Sequence, residues 1–165
     1  MSDSSIIKVR IGGQLGVGLF AIVDAEYEEL VSAHRWHICQ GYAITNIPHP
    51  SRKSRQQTLA MHRLLMQRPV GVQVDHINGD RLDNRMSNLR LATHAQNTQN
   101  ARIRSDNTSG FKGVRIRKHN GRWQTSIKCN GAYYYLGTYD TPEEASVVYQ
   151  AASLIHHGEY ARKIV

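Results

Sequence analysis

Residues 74–97, VDHINGDRLDNRMSNLRLATHAQN, hold the pattern on which the fold turns. The run "GVQVDHI" reads as a strand, and the turn signal "NGD" follows it at once. "NLRLAT" reads as a second short strand, in which Arg90 alternates with Leu89 and Leu91. "THAQNTQNAR" then has helical length, with Thr93 placed to cap it. The local plan is strand, long loop, strand, helix. Set into it are an adjacent acid and histidine, Asp75 and His76, and asparagines at Asn78, Asn84, Asn88 and Asn97.

Those residue types suit one chemistry. Cutting a phosphodiester needs a base of near-neutral pKa to take a proton from water, and histidine is the usual one. It also needs positive charge on the phosphate and the leaving oxygen, which a hard divalent ion on oxygen ligands supplies. Neighbours on a strand point to opposite faces. Asp75 and His76 can therefore divide the work only if the strand ends or bends there, and the turn that follows allows this. A carboxamide oxygen can fix an imidazole tautomer or complete a metal shell. Taken singly, each asparagine reads equally well as a turn residue serving the backbone. Asn78 and Asn84 are read that way, because the chemistry does not require them. Arg90 projects from its strand, either to phosphate or to solvent.

The totals are compatible with this chemistry. The chain has 165 residues, enough for one domain or two small ones. With only two Phe and two Trp, the cores must be small. The net charge is +8, unevenly spread. Residues 1–46 carry −2, residues 47–104 carry +7 and residues 105–165 carry +3. A basic centre and a basic C-terminal third favour a polyanionic partner. A membrane surface is disfavoured, since no basic amphipathic helix is evident. Cys39 and Cys129 lie far apart without a CxxC context, which points to free thiols in a reducing compartment and removes a cysteine-based zinc knuckle. No run is apolar enough for a signal peptide or a membrane span, so the expected location is the cytosol.

Elsewhere, "IIKVRI" and "LFAIV" read as strands around a glycine-rich turn, "DAEYEELVS" as a short helix and "YAITNI" as a strand. "PHPSRKSRQQ" reads as a basic loop, and "TLAMHRLLM" begins a helix with Leu64 and Leu65 facing the core. "RIRSDNTSG" has few apolar anchors and reads as a linker. After it come three strands with tight Asn-Gly turns and then "TPEEASVVYQAASLIHHG", the clearest helix. Thr141, Pro142 and Glu144 give it a capped start, and Gly158 is a natural stop. Ala145, Val148, Tyr149, Ala152 and Ile155 form its expected buried stripe. The opposite face of the sheet carries Arg115, Arg117, Lys128 and tyrosines, a surface suited to phosphate and bases.

The motifs "VDHINGD", "DNRMSNLRLAT" and "AQN" resemble the HNH nucleases, in the subgroup typical of phage and intron homing endonucleases. The resemblance implies a hairpin-plus-helix metal fold. It implies His76 as general base, Asn88 as the residue that orients His76 and ties down the loop, and Asp75 and Asn97 as ligands of one divalent ion. Many HNH nucleases carry histidine where Asn97 stands. This H-N-N variant disfavours zinc and favours Mg²⁺, with Mn²⁺ as the alternative. His62, in "MHRLLM", matches a His-Arg pair often found before the motif, and is either a support for the site or a packed histidine. Within residues 1–60, "GLFAIVDAEYEELVSAHRWHI" and "GYAITN" resemble the segment found in front of many phage HNH cores, and the basic residues from Arg52 to Arg55 lie either along phosphate or in solvent.

From Ser109 to Ala161, "SGFKGVRIRKHNGRWQTSI" and "YLGTYDTPEEASVVYQAA" resemble an APETALA-type DNA-binding domain. That implies DNA contact at Arg115, Arg117, Arg122, Lys128, Tyr133 and Tyr135. Plant members place Arg and Trp where Tyr133 and Tyr135 stand, so base preference does not transfer.

The expected fold is α+β. A strand-rich segment occupies 1–60, an HNH core 61–102, a linker 103–108, and a three-stranded antiparallel sheet packed on one helix 109–165. The expected function is a metal-dependent DNA endonuclease acting on double-stranded DNA, a homing-type nickase working as a monomer in a phage-infected host's cytoplasm. The alternative is a DNA-binding regulator with an inert HNH core.

Overall fold

The structure is a computed structural model that describes residues 5–67 and 71–162, and of residues 52–54 the backbone alone. It is a mixed α+β chain with four small antiparallel sheets and short helices, in keeping with the expected class. Two compact units divide it, Met1–Asn97 and Thr98–Val165.

In the first unit, β1 (Ile6–Arg10) pairs antiparallel with β2 (Phe20–Asp24). The two strands turn alternate residues inward, so Ala21 and Val23 are buried and Ile7 and Val9 pack at the core's edge. The helix α1 (Glu28–Ser32) buries Val31, whose carbonyl accepts the indole N–H of Trp36 at 2.8 Å. A second sheet runs in the order β3 (His37–Cys39), β4 (Tyr42–His49), β5 (Arg52–Ala60). The segment read from sequence as a basic loop is thus mostly the two arms of a long hairpin. Asn46 pairs with Thr58 and Ile47 with Gln57. Polar residues alternate with polar residues there, so the period-2 signal that marks a half-buried strand is missing.

The short α2 (Met61–Leu65) buries Met61 and Leu65, with Leu64 packed against the core. Then β6 (Gln73–His76) and β7 (Leu89–Ala92) pair antiparallel with Asp75 opposite Arg90 and His76 opposite Leu89. Val74 and Leu89 join the core formed by Ile11, Val23, Val31, Trp36, Met61 and Leu65. The helix α3 (His94–Asn100) starts in a reciprocal cap. Gln96 N donates to Thr93 Oγ1 at 3.2 Å and Thr93 N donates to Gln96 Oε1 at 2.8 Å.

In the second unit, β8 (Val114–Ile116), β9 (Trp123–Cys129) and β10 (Ala132–Tyr139) form a sheet in the order β10-β9-β8. Asn130 and Gly131 close the β9–β10 hairpin with φ of 49° and 83°, the pair of left-handed residues that a tight two-residue turn requires. The helix α4 (Pro142–His157) covers one face, and its start has the expected capping box between Thr141 and Glu144. Its buried side differs from the expected stripe. Ala145, Tyr149 and Ala152 face inward, but Ile155 is 80% exposed. Ser146, Ser153 and His157 are buried instead. One of them reaches the sheet: His157 Nε2 lies 3.0 Å from Lys128 O on β9, while Ser153 Oγ donates within the helix to Gln150 O at 2.8 Å. The unit also takes in residues 98–108. Lys112 Nζ donates to the carbonyls of Thr98, Gln99 and Ala101 at 2.6–3.2 Å, and Arg162 Nη1 to that of Asn100 at 3.2 Å. Burial lowers the Lys112 pKa to about 8, while the three carbonyls favour its ammonium.

Gly113 tests this packing. Its φ is 72°, and a Cβ there would sit 2.1 Å from the Tyr149 ring. We expect Gly113→Ala to destabilise the second unit by at least about 1–3 kcal/mol in urea unfolding, from the backbone conformation alone. Thr141→Ala should cost about 1 kcal/mol through the lost cap.

Candidate active site

β6 ends at His76, and the Gly79 N–H turns back to the His76 carbonyl at 2.9 Å. Asp75 and His76 keep the strand's alternation up to that end. Asp75 faces its cross-strand neighbour: Arg90 Nε and Nη2 donate to Asp75 Oδ2 at 2.9 and 2.7 Å. His76 stands among aromatic rings. Its ring centroid lies 5.1 Å from that of His62 in an edge-to-face arrangement and 5.9 Å from that of Tyr42. The Arg81 guanidinium lies over the Tyr42 ring at 4.5 Å and donates to Gln40 O at 2.6 Å. His62, from α2, is buried and packs 5.0 Å from Tyr42 as well.

The carboxamide facing His76 belongs to Asn84. Its Oδ1 is 3.4 Å from His76 Nε2, and its Nδ2 donates to Leu82 O at 3.1 Å. With the amide so turned, Oδ1 accepts and His76 Nε2 carries the proton, which makes Nδ1 the basic nitrogen of the neutral ring. The side-chain bonds of Asn88 run elsewhere. Its Nδ2 donates to Asp83 O at 2.7 Å and its Oδ1 accepts from Asn78 N at 3.0 Å. Asn88 thus lies in the loop-tying part of the place expected for it, and the orienting contact falls to Asn84. Asn84, read from sequence as a turn residue, is 1% exposed. It lies in the part of the loop that docks on β2, where Asn84 N donates to Ile22 O at 2.8 Å, a contact that leaves no local mark in the sequence.

The loop 77–88 is braced by Asp83, which is 3% exposed. Arg85 donates to both of its carboxylate oxygens at 2.7–2.8 Å, and Asn78 Nδ2 to Oδ2 at 2.9 Å. Burial alone would raise this carboxyl's pKa; the bonds from Arg85 and Asn78 outweigh it and hold the pKa below the ordinary value. At His76 burial wins and pushes the imidazole pKa below its usual value, against the Asn84 contact and the nearby carboxylates of Asp75, Asp80 and Asp83. His76 is accordingly neutral at physiological pH, the form a base needs.

Asn97 lies on α3 with Nδ2 donating to Gln73 Oε1 at 2.7 Å. Gln73 Nε2 is 3.4 Å from His94 Nδ1. Gln73 and Asp75 share a face of β6 by alternation. Arg90, expected to project, turns inward onto Asp75, and its side chain is 12% exposed. Opposite charges on directly facing strand residues attract, and neither solvent nor phosphate is needed to explain that arginine.

On the second unit, Arg115 is exposed, and Lys128 Nζ lies 5.1 Å over the Tyr133 ring. Tyr133 and Tyr135 are 74% and 61% exposed. Arg117 is half-buried, and Arg122 is paired with Asp140 at 2.8 Å. Tyr134, on the other face, stacks on His156.

Residues 61–99 match the HNH endonuclease family. Protein 3.8 of Escherichia phage T7 is 32% identical over 94 residues, 57% of this chain and 77% of that protein. An uncharacterized HNH endonuclease of Acanthamoeba polyphaga mimivirus is 30% identical over 149 residues, 88% of this chain and 75% of that protein. The chain belongs to the HNH endonuclease family, and is a phosphodiester hydrolase. Nucleases of this family generally work with a divalent metal ion. The ethylene-responsive transcription factor WRI1 of Arabidopsis thaliana is 41% identical over 59 residues, 34% of this chain and 14% of that protein. No solved structure matches the chain.

If Asn84 sets the His76 tautomer, Asn84→Ala will lower the cleavage rate by on the order of 10-fold or more while leaving DNA affinity unchanged. Imidazole ¹⁵N spectra should show an Nε2–H ring in the parent protein and a tautomer mixture in the variant.

Proposed function

We propose that this protein is a divalent-metal-dependent endonuclease that nicks one strand of duplex DNA as a monomer. The observation that carries the reading is a buried, oriented histidine adjoining an oxygen donor, Asp75, with a second donor, Asn97, tied to the same strand through Gln73. One carboxylate and one carboxamide oxygen are hard donors. Among the described residues no three His, Cys, Asp or Glu cluster as a self-sufficient metal site. Such a donor pair fits magnesium, which keeps waters and shares its shell with substrate phosphates. Bound there, the ion supplies positive charge to the scissile phosphate and the departing 3′ oxygen.

The chain's own residues do the rest. His76 Nδ1 accepts a proton from the attacking water, whose oxygen bonds to phosphorus as the bond to the 3′ oxygen breaks. Asn84 holds Nε2 protonated, and His62 and Tyr42 fix the ring by packing. Arg90 aims Asp75 through its two hydrogen bonds to Oδ2.

The second unit is proposed as an APETALA-type domain. The exposed face of β8–β10, with Arg115, Lys128, Tyr133 and Tyr135, suits the groove of duplex DNA, with Arg117 and Arg122 at its margin. The likeness to plant transcription factors supports this. The reading extends to a homing role and to action in the cytoplasm of a phage-infected host.

In a supercoiled-plasmid assay, we expect Mg²⁺ or Mn²⁺ to give open circles, EDTA to stop the reaction, and His76→Ala to bind DNA without cutting it. Direct conversion to linear product at low enzyme would overturn the monomeric nickase. Binding without cutting by the parent protein on its target would favour a regulator with an inert core. Arg115→Ala and Lys128→Ala should each weaken DNA binding and reduce the salt slope by about 1 if they contact phosphate.

A further inference from the structure

We propose that Gln73 is a positioning residue that locks the carboxamide of Asn97 with its oxygen turned to the metal. The inference rests on the reading of Asn97 as a ligand.

A carboxamide has two ends of nearly equal size, and only the oxygen binds a hard cation. An asparagine ligand free to flip would present its amino end as readily as its oxygen. Gln73 removes that freedom. Its Oε1 can only accept, and it lies 2.7 Å from Asn97 Nδ2. The amino end of Asn97 must therefore face Gln73, and Oδ1 is the end left to ligate. Gln73 is itself a carboxamide, and the other end of its side chain faces a histidine. Nε2 lies 3.4 Å from His94 Nδ1, which prefers the amino group opposite it when that nitrogen is unprotonated. Strand and helix are thus joined by a run of polar side chains, His94, Gln73 and Asn97, in which Gln73 sets the orientation of Asn97. Gln73 and Asp75 lie on the same face of β6, so the strand that carries one proposed ligand also orients the other.

The contact is more than surface decoration. Gln73 and Asn97 are both half-buried. Outer partners of metal ligands typically change metal affinity by about 10- to 100-fold when removed.

The test is an Mn²⁺ titration of the full chain without DNA, followed by calorimetry, for the parent protein, Gln73→Leu, Gln73→Glu and Asn97→Leu. The Asn97 side-chain amide resonances are recorded in the metal-free proteins. Gln73→Leu should weaken Mn²⁺ binding by about 10-fold or more and shift the Asn97 Nδ2 protons away from their bonded positions. Gln73→Glu keeps the acceptor, and should restore those resonances and recover the binding. If Gln73→Leu binds Mn²⁺ like the parent while Asn97→Leu does not, the lock is overturned and Asn97 remains a ligand. If Asn97→Leu also binds like the parent, the ligand reading fails and takes the lock with it.

Discussion

The loop from 77 to 88 has to leave β6, cross to β2 and return as β7 with one carboxamide resting against His76. The carboxylate of Asp83 makes that path possible. It is buried, and it stays ionised because Arg85 and Asn78 donate to both its oxygens. Its own carbonyl receives Asn88. Buried charge without partners is costly, so the loop has few ways to fold that satisfy this group. Docking on β2 through Ile22 then places the next residue, Asn84, at the imidazole. The surroundings of the histidine are in this sense set by an acid that does not touch it through any hydrogen bond described above.

The two faces of a four-residue strand separate the two kinds of work. On one, His76 is packed against His62, Tyr42 and Asn84, and its burial favours the neutral form. On the other, Asp75 meets Arg90 across the hairpin. A guanidinium on the proposed ligand means that an arriving cation meets an occupied oxygen, Asp75 Oδ2. Removing Arg90 would leave a nearly buried carboxylate without its cross-strand counter-charge, so that residue stabilises the hairpin as well as the site.

Much of this was legible in the sequence where local rules and global packing agree. The 74–97 plan of strand, loop, strand and helix is present with its cap, and the final helix has its capping box. Three misreadings have separate causes. The far part of the β4–β5 hairpin, residues 48–57, lacks alternation because its sequence is almost wholly polar. Helical spacing places Ile155 inside, but the helix buries Ser153 and His157 instead, and His157 meets the Lys128 carbonyl of β9. Asn84 was passed over because its role depends on a contact with β2, more than fifty residues earlier, that no local pattern records. Gln73 is a similar case: nothing in "GVQVDHI" says that its amide meets a helix.

The tight turn at Asn130 and Gly131 has a chemical consequence of its own. A glycine after an asparagine leaves the next backbone nitrogen unhindered, so it can attack the side-chain carbonyl and expel ammonia; the ring that forms opens to aspartate or isoaspartate. Asn78, which also precedes a glycine, has its carboxamide held by Asp83 and by the Asp80 N–H. Asn130 is exposed. Its conversion would set a carboxylate beside the Lys128–Tyr133 pair, on the face proposed to meet DNA. Ageing of the protein would then erode its grip on a polyanion while leaving the hydrolytic centre as it was made.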